Sequence, residues 1–261
     1  MKALKERIRN REVTIGSWIT FSNSAVAEIM ARSGFDWLTV DLEHGAIGIE
    51  GVQHLIQVID LCGCVPLVRL PGHDPIFVKR VMDAGARGVI IPLVSSPQEA
   101  IQIKNNVKYP PSGKRGMGLA RAQGYGERFA EYMEEINREA IIIAMIEDKL
   151  GVENVEAIAR VKDVDGVLIG PYDLSGSLGV AGQFDHPLMK EAEEKILRAA
   201  RAKKVAAGYH VIKPSVSEVR EKIQQGYTFI AYSVDMMMLG ECCRNSLRDL
   251  RGSFHLNKKR K

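Results

Sequence analysis

Charged and imidazole side chains closely follow six apolar runs of the sequence. In chain order they are Asp41-Leu42-Glu43-His44, Arg69, Glu147-Asp148, Asp173, His210 and Asp235. Carboxylates without clustered Cys or His residues suit Mg²⁺ or Mn²⁺ better than zinc. Two such ligands leave coordination positions open for substrate oxygens, while an arginine can stabilise an oxyanion and a histidine can move a proton. The set therefore favours chemistry that passes through an enolate.

The metal hypothesis depends mainly on Glu147 and Asp173. Each follows a strongly apolar run, where a charge is costly unless it faces solvent or a metal ion. The pattern alone leaves metal binding and a structural role equally open for this pair. For the other residues a structural role is the simpler interpretation: Asp235 as a helix N-cap, His210 as a structural residue and Arg69 as a surface ion-pair partner.

These residues share a site only if the apolar runs are strands of one sheet. Eight runs alternate with longer amphipathic stretches: Val13–Ile19, Trp37–Glu43, Val65–Leu70, Gly88–Val94, Ala140–Glu147, Gly166–Pro171, Ala206–Val211 and Thr228–Val234. Most are continuously apolar, as expected of parallel strands covered on both faces. Eight strand–helix units predict an α/β fold, a closed (β/α)8 TIM barrel with its active site at the C-terminal strand ends. An open doubly wound sheet would need a glycine fingerprint that residues 16–24 lack.

Amphipathic periodicity predicts the helices between these strands. The clearest are Asp74–Ala84, Glu127–Arg138, His186–Lys203 and Met236–Leu250. Asp74-Pro75 and Ser96-Pro97 are typical helix starts, with a capping side chain followed by proline. No linker divides the chain. Residues 1–252 are therefore predicted to form a single barrel domain, and residues 253–261 a basic C-terminal tail.

The composition is that of a globular protein and argues against two kinds of partner. The chain is 46% hydrophobic and 26% charged, and its formal charge of +4 equals the charge of its last four residues. A neutral body lacks the distributed basic face that nucleic acids require, and the longest apolar run, 140–146, is too short to cross a membrane. Four cysteines in two close pairs fit neither a zinc site nor a redox motif. They predict buried, reduced thiols and a cytoplasmic location.

Several segments resemble the class II, metal-dependent pyruvate aldolases of the HpcH/HpaI family. They are GFDWLTVDLEH, LVRLPGHDP, YPPSGKRGMG, MIEDKLGVENVEAIARVKDVDGVLIGPYDLSGSLG and SVDMMMLGE. The family includes 4-hydroxy-2-oxoheptanedioate, 2-dehydro-3-deoxyglucarate and 2-keto-3-deoxy-rhamnonate aldolases, and the resemblance runs from Gly16 to Gly252. It implies a phosphoenolpyruvate/pyruvate-type barrel whose last helix is swapped onto a neighbour. It also implies a homo-oligomer, a hexamer built as a trimer of dimers.

The resemblance further implies an activity and a cofactor. The reaction would be the reversible cleavage of a 4-hydroxy-2-oxo acid, of the 2-keto-3-deoxy sugar acid type, to pyruvate and an aldehyde through a metal-bound enolate. Glu147 and Asp173 match the ligands of a divalent ion, Mg²⁺ or Mn²⁺, with Co²⁺ as a further candidate. His44 matches the catalytic histidine, Asp41 its hydrogen-bonding partner, and Arg69 the arginine at the enolate oxygen.

Other residues match positions that bind substrate or meet a neighbouring subunit. Asp83 matches an acidic residue offered to the neighbouring subunit's site, and Trp18 matches an aromatic residue of the first strand. The turn Gly170-Pro171-Tyr172 matches the loop that holds the substrate carboxylate. Arg121, in the loop 116–126, is expected to line the aldehyde side of the site.

One departure from the family pattern bears on the reaction. Many relatives carry glutamine two residues before the metal-binding glutamate, where this chain has Met145, a further residue expected to border the substrate. Loss of that polar group could change the acceptor or the reaction. Two alternatives to an aldolase therefore stay open: a related lyase or decarboxylase using the same metal–enolate chemistry, and a barrel that binds without catalysis. A Schiff-base aldolase is disfavoured, because Lys213, the nearest lysine to a strand end, falls in a loop.

Overall fold

Residues 3–254 are described in a computed structural model, in which eight strands close into a parallel barrel in chain order. The strands are β1 (Thr14–Ile19), β2 (Trp37–Asp41), β3 (Val65–Arg69), β4 (Gly88–Ile91), β5 (Ile141–Ile146), β6 (Gly166–Ile169), β7 (Ala206–Val211) and β8 (Phe229–Val234). Each observed strand lies within a predicted one. The (β/α)8 barrel is therefore confirmed.

Helices cover the outside of the barrel. They are α1 (Leu4–Arg9), α2 (Ser24–Arg32), α3 (Ile49–Leu61), α4 (Pro75–Ala84), α5 (Pro97–Val107), α6 (Phe129–Glu139), α7 (Lys149–Ala159), α8 (Pro171–Ser177), α9 (Pro187–Lys203), α10 (Val216–Gln225) and α11 (Asp235–Ser253), with a 3-10 turn at Arg121–Gln123. The predicted helix starts are confirmed. Asp74 accepts a hydrogen bond from the N–H of Ile76 at 2.8 Å, and Ser96 forms a capping box with Glu99.

Side chains that point inward fill the barrel up to its C-terminal mouth. The indole of Trp37 stacks on Phe229 with centroids 4.2 Å apart, and it occupies the space above Gly16, where a Cβ would lie 2.0 Å from the ring. Leu4 and Ile8 of α1 join this inner cluster. Because α1 precedes β1, it covers the N-terminal end of the barrel, and the mouth is the end where solutes can enter.

The outer layer between strands and helices is mainly apolar but contains a buried ion pair between α9 and α10. Lys222 of α10 donates to Glu193 of α9 at 2.8 Å and lies 3.7 Å from the ring centroid of Tyr209. The Tyr209 hydroxyl donates to the other carboxylate oxygen of Glu193 at 3.3 Å, and the ring of Tyr227 packs against that of Tyr209. We call these four residues the outer-layer cluster. It pairs one cation with one anion.

The C-terminal helix α11 is far more exposed than the other long helices. Asp235 is its only buried residue, and its apolar side chains at Met236, Leu239, Leu247 and Leu250 are each about half exposed. Asp235 accepts hydrogen bonds from Thr20 and Phe21 N–H groups, so it is a structural residue inside the helix rather than its N-cap. Among residues 3–254, α11 therefore leaves most of its apolar surface without a partner.

The expectation of buried thiols is only partly correct. Cys64 is buried, and burial raises the pKa of its thiol to about 12, whereas Cys242 and Cys243 are exposed because they lie on α11. All four are free. No helix between residues 3 and 254 is long and apolar enough to cross a membrane. The basic residues of the predicted tail lie outside the described residues, and the cytoplasmic location stays a prediction.

Candidate active site

Asp41 and Arg69 lie opposite each other on neighbouring strands at the mouth. Both side chains point inward, because Asp41 and Arg69 lie at even spacing after Trp37 and Leu67 of the inner cluster. The register pairs Asp41 with Arg69 at the ends of β2 and β3. Arg69 Nε donates to Asp41 Oδ1 at 2.8 Å and Nη2 donates to Oδ2 at 2.5 Å. Burial opposes ionisation of Asp41, but the Arg69 guanidinium outweighs it and holds the pKa of Asp41 below its usual range. Asp41 therefore stays ionised and fixes the orientation of Arg69.

Two rings support this arginine from the interior of the barrel. The Arg69 guanidinium carbon lies 4.4 Å from the centroid of the Trp18 ring, which is fully buried. Trp18 in turn contacts the imidazole of His210, with ring centroids 5.4 Å apart and planes tilted by 55°. The arginine is thus held by a cation–π contact below and by Asp41 at the side.

Glu147 points into the mouth from the end of β5. Ile141, Ile143 and Met145 belong to the inner cluster, so alternation along the strand places Glu147 one level above Met145. Its Oε2 accepts a hydrogen bond from the N–H of Leu93 at 2.9 Å. Burial raises the pKa of Glu147 to about 7, and nearby acidic charges add to the effect. This carboxylate has no cationic hydrogen-bond partner within the described chain.

Close contacts on both sides fix this carboxylate. Leu93 has a φ of 51°, a left-handed backbone that is costly for a leucine and that turns its N–H toward Glu147. On the other side lies Gly170, where an added Cβ would be 2.1 Å from Glu147 Oε1. Only glycine allows the start of α8 to approach so closely.

Two further carboxylates join Glu147 at the mouth. Asp173 lies in the first turn of α8 and is exposed, while Glu43 follows β2. Burial raises the pKa of Glu43, although Arg69 opposes this, and the charges of Asp41 and Asp173 raise it further. Glu43 Oε2 lies 3.3 Å from Arg69 Nη1 but makes no hydrogen bond. Asp41, Glu43, Arg69, Glu147 and Asp173 are called the mouth cluster below: four carboxylates around one cation.

His44 lies at the rim, with 62% of its side chain exposed and Nε2 4.0 Å from Glu43 Oε2. The expected role of Asp41 as the residue that orients this imidazole is corrected by the structure. Asp41 contacts His44 only by accepting from its backbone N–H at 3.3 Å, because both carboxylate oxygens are engaged by Arg69. The imidazole itself faces solvent and Glu43.

The sequence of this chain matches a described family over most of the barrel. Residues 14–241 match the HpcH/HpaI aldolase/citrate lyase family. The chain belongs to this family. It is 36% identical over 239 residues to a 2-keto-3-deoxy-L-rhamnonate aldolase of Shigella boydii. The aligned residues cover 91% of this chain and 88% of that protein. The predicted class of enzyme, a carbon–carbon lyase, is thereby confirmed.

Solved structures of the HpcH/HpaI family share the fold closely. A family protein from Burkholderia cenocepacia has a TM-score of 0.91 at 32% identity, covering 95% of this chain and 98% of that chain. An HpcH/HpaI aldolase from Desulfitobacterium hafniense has a TM-score of 0.88 at 31% identity, covering 96% and 97%.

Two residues expected at the HpcH/HpaI site lie on the flank of the barrel. Arg121 donates to Asp60 at 2.8 Å and to the carbonyl of Ala84 at 3.2 Å, near the C-terminal ends of α3 and α4. Because these helices run away from the mouth, Arg121 does not line the aldehyde side of its own chain, which corrects the expectation. Asp83, also near the end of α4, forms an ion pair with Arg115. Its contact with a neighbouring subunit stays a prediction.

The other expected substrate contacts surround the mouth at different depths. Met145 is buried below Glu147, where it can affect the site only through packing. Pro171 is buried at the start of α8, while Tyr172 is exposed and meets Phe184 edge-on at 5.0 Å.

Two residues that shape this HpcH/HpaI site had no predicted role. Glu43 was named in the motif that follows β2, and its role could have been predicted, because it lies two positions after Asp41 and alternation returns it to the same side of the strand. Leu93 was not named, since its residue type gives no indication of the left-handed backbone that supplies an N–H to Glu147.

The donor set fits a divalent cation that the protein ligates incompletely. Among residues 3–254 no three His, Cys, Asp or Glu side chains lie close enough to form a metal site by themselves. Glu147 and Asp173 offer hard carboxylate oxygens on neighbouring elements, and their like charges are unbalanced. Such a pair suits Mg²⁺ or Mn²⁺ with coordination positions left for substrate oxygens.

Proposed function

We propose that this HpcH/HpaI protein is a divalent-metal-dependent aldolase that reversibly cleaves a 4-hydroxy-2-oxo acid to pyruvate and an aldehyde. The observation that carries the proposal is the excess of carboxylates around Arg69 in the mouth cluster, where Glu147 is buried and has no cationic hydrogen-bond partner among residues 3–254. The named activity of the Shigella boydii relative supports a substrate of the 2-keto-3-deoxy sugar acid type.

Glu147 and Asp173 would hold the cation, Mg²⁺ or Mn²⁺, with Co²⁺ as a further candidate. When bound, the ion polarises the 2-oxo group and offsets negative charge that develops on its oxygen. Leu93 and Gly170 keep the Glu147 carboxylate in position for this role. The turn from Gly170 to Tyr172 would receive the substrate carboxylate.

The residues of the chain then handle the proton and the oxyanion. His44, exposed at the rim, accepts the proton of the 4-hydroxyl as the C3–C4 bond breaks and the hydroxyl carbon becomes an aldehyde. The electron pair of that bond forms the enolate of pyruvate, whose oxygen is stabilised by Arg69. Asp41 keeps the guanidinium in place, and return of a proton to C3 releases pyruvate.

A second copy of the chain is proposed to cover α11. Its four half-exposed apolar side chains, described above, form a surface that a monomer rarely leaves open. Exchange of this helix within dimers, three of which form a hexamer, would bury it and bring Asp83 to a neighbour's mouth. Sedimentation of the wild type and of Leu239→Glu tests this: a dimer or hexamer should dissociate in the variant. A wild-type monomer would contradict the proposal.

The test of the activity is pyruvate release, coupled to lactate dehydrogenase, from a panel of 4-hydroxy-2-oxo acids. Release should require Mg²⁺ or Mn²⁺, stop with EDTA, and be lost in Glu147→Gln but not in Glu153→Gln, an exposed carboxylate on α7. Cleavage of no panel member, with decarboxylation of oxaloacetate retained, would favour a related lyase or decarboxylase. Absence of both activities would favour a non-catalytic barrel.

A further inference from the structure

The loop that follows β4 supplies the hydrogen bond that fixes the Glu147 carboxylate. Leu93 donates its N–H to Glu147 Oε2 from a left-handed backbone with a φ of 51°. This conformation is costly for a residue with a side chain, and it persists only where the surrounding structure enforces it. Leu93 itself is half exposed, so its own packing provides little restraint. The restraint on its backbone therefore has to come from neighbouring residues.

The residues on either side of Leu93 are bonded to other parts of the barrel. On the N-terminal side, the carbonyl oxygen of Pro92 accepts a hydrogen bond from His73 Nε2 at 2.8 Å. On the C-terminal side, the N–H of Val94 donates to the carbonyl oxygen of Met145 at 3.0 Å, and Val94 is buried. The loop is thus tied to β5 one residue after Leu93.

Ser95 connects the same loop to the start of α7. Its hydroxyl donates to Asp148 Oδ2 at 2.5 Å, and its carbonyl oxygen accepts from Asn154 Nδ2 at 2.8 Å. Its N–H donates to Glu99 Oε2 at 2.8 Å, so each polar group of Ser95 has a partner. Asp148 directly follows Glu147 in the chain, and consecutive residues therefore bind the loop at two points. Ser95, Asp148 and Asn154 are called the Ser95 latch below.

Close packing leaves the Ser95 latch little freedom. A Cβ on Gly151 of α7 would lie 3.0 Å from both the carbonyl oxygen of Val94 and Asp148 Oδ1. The N–H of Gly151 donates to this Oδ1 at 2.5 Å, which leaves the other oxygen of Asp148 for Ser95. Asn154 is half-buried, and among residues 3–254 the one hydrogen bond of its side chain goes to Ser95. Asn154 can therefore affect the mouth only through this loop.

We infer that Asn154 is a positioning residue: through Ser95 it keeps Leu93 in the conformation that presents an N–H to the proposed metal ligand. The inference rests on the proposed function and adds to it a residue outside the mouth. Residues behind a metal ligand orient it, and their loss lowers metal affinity or activity by about 10–100-fold. Because Asn154 acts on a ligand of the ion and not on the substrate, the loss falls on the affinity for the ion.

The experiment measures the Kd for Mn²⁺ from the EPR signal of the free ion, after bound metal has been removed with EDTA. Asn154→Leu keeps the approximate size of the side chain but removes the donor, and it should raise the Kd about 10-fold. Ser95→Ala should also raise the Kd, whereas Ser95→Thr, which keeps the hydroxyl, should stay near the wild type. Saturating Mn²⁺ should restore most of the pyruvate release of Asn154→Leu.

Asn137→Leu is the matched control. Asn137 is a half-buried residue of α6 whose Nδ2 donates to the carbonyl oxygen of Tyr109 at 3.1 Å, the same kind of contact in a different connection. Loss of this contact should leave the Kd for Mn²⁺ unchanged.

A second background separates positioning from a general loss of structure. Glycine adopts a positive φ without the cost that leucine has, so after Leu93→Gly the Ser95 latch has less strain to oppose. Asn154→Leu should then raise the Kd by only about 2-fold, compared with about 10-fold when Leu93 is present. A purely structural role of Asn154 predicts the same effect in both backgrounds.

An unchanged Kd in Asn154→Leu and Ser95→Ala would overturn the inference. An equal rise in Asn137→Leu, or an undiminished effect of Asn154→Leu after Leu93→Gly, would overturn it as well. If Asn154→Leu does not fold, Ser95→Ala and Ser95→Thr decide.

Glu147→Gln distinguishes this inference from the proposed function. If the wild type does not bind Mn²⁺, or Glu147→Gln binds it as tightly as the wild type, the proposed metal site is wrong and the role of Asn154 with it. If Glu147→Gln loses the ion while Asn154→Leu and Ser95→Ala keep it, only the role of Asn154 is wrong.

Discussion

The mouth cluster and the outer-layer cluster each bring charged side chains together, mostly buried or half-buried apart from the exposed Asp173, but their charges are balanced differently. In the outer-layer cluster Glu193 meets Lys222 at 2.8 Å, and both carboxylate oxygens have donors. In the mouth cluster four carboxylates share Arg69, and Glu43 Oε2 is left without a hydrogen bond. A buried group selected for stability is paired, because an unpaired charge is expensive. The excess of negative charge at the mouth therefore lowers the stability of the fold, as expected at a site that binds a ligand.

The largest effect should come from Glu147→Gln, which removes one of the unbalanced charges while keeping the shape of the side chain. Loss of several kcal/mol of electrostatic stabilisation predicts a fall in kcat of about 10³-fold. The free energy of unfolding in EDTA should not fall and should rise by about 1–2 kcal/mol, because burial and neighbouring carboxylates disfavour this charge. Pyruvate release and urea unfolding measure the two quantities. A clear loss of stability would show that Glu147 is a structural residue.

Glu193→Ala should show the opposite pattern. It leaves Lys222 buried without its anion and the Tyr209 hydroxyl without its acceptor, which predicts a loss of about 3–5 kcal/mol in the free energy of unfolding. The kcat of the folded fraction should stay close to that of the wild type, since the hydrogen bonds of Glu193 go to Lys222 and Tyr209 and not to the mouth cluster. Urea unfolding and active-site titration check both expectations.

The double variant Glu193→Leu with Lys222→Met is the control for this prediction. Removing both charges together avoids an unpaired ion, so most of the stability lost in Glu193→Ala should return. If the double variant is as unstable as the single one, packing rather than pairing holds the cluster together. If Glu193→Ala lowers kcat as strongly as Glu147→Gln does, the two regions are not functionally distinct.

Asp41→Asn should fall between these cases, because Asp41 and Arg69 form the one balanced pair within the mouth cluster. The amide keeps the shape but loses the charge-assisted contacts that fix the guanidinium, which predicts a decrease in kcat of about 10–100-fold. Stability should fall as well, unlike in Glu147→Gln. Full activity would mean that Arg69 needs no such support, and Asp41→Glu would then be expected to be equally active.

The sequence predicted which residues lie at the mouth better than it predicted the contacts between their side chains. Arg69, Glu147 and Asp173 were found because each ends an apolar strand or follows one, and parallel strands of a barrel end at the same mouth. The prediction that Asp41 orients the imidazole of His44 was wrong, because strand register and not proximity in sequence brings Arg69 directly beside Asp41. A neighbouring histidine in the motif was the more obvious candidate.

Features that depend on backbone strain or on the path of a loop could not be predicted. The residue types of Leu93 and Ser233 do not indicate their left-handed conformations. Yet the N–H of Leu93 donates to Glu147, and the carbonyl oxygen of Ser233 accepts from His210. Arg121 was misplaced because its motif says nothing of the direction in which the connection from β4 to β5 leaves the mouth. Its position follows from contacts with Asp60 and Ala84.

The smallest effect tests whether a cation relieves the imbalance at the mouth. A ligand that binds only the folded state, at about ten times its Kd, adds roughly 1.4 kcal/mol to the free energy of unfolding. For a chain of this size that corresponds to a rise in Tm of roughly 3–5 °C. Mg²⁺ or Mn²⁺ should therefore raise the Tm of the wild type above its value in EDTA. Glu193→Gln, which alters the outer-layer cluster, should keep the whole shift, and Glu147→Gln should lose it. An equal shift in Glu147→Gln would mean that the ion binds elsewhere and that the excess negative charge at the mouth needs a different explanation.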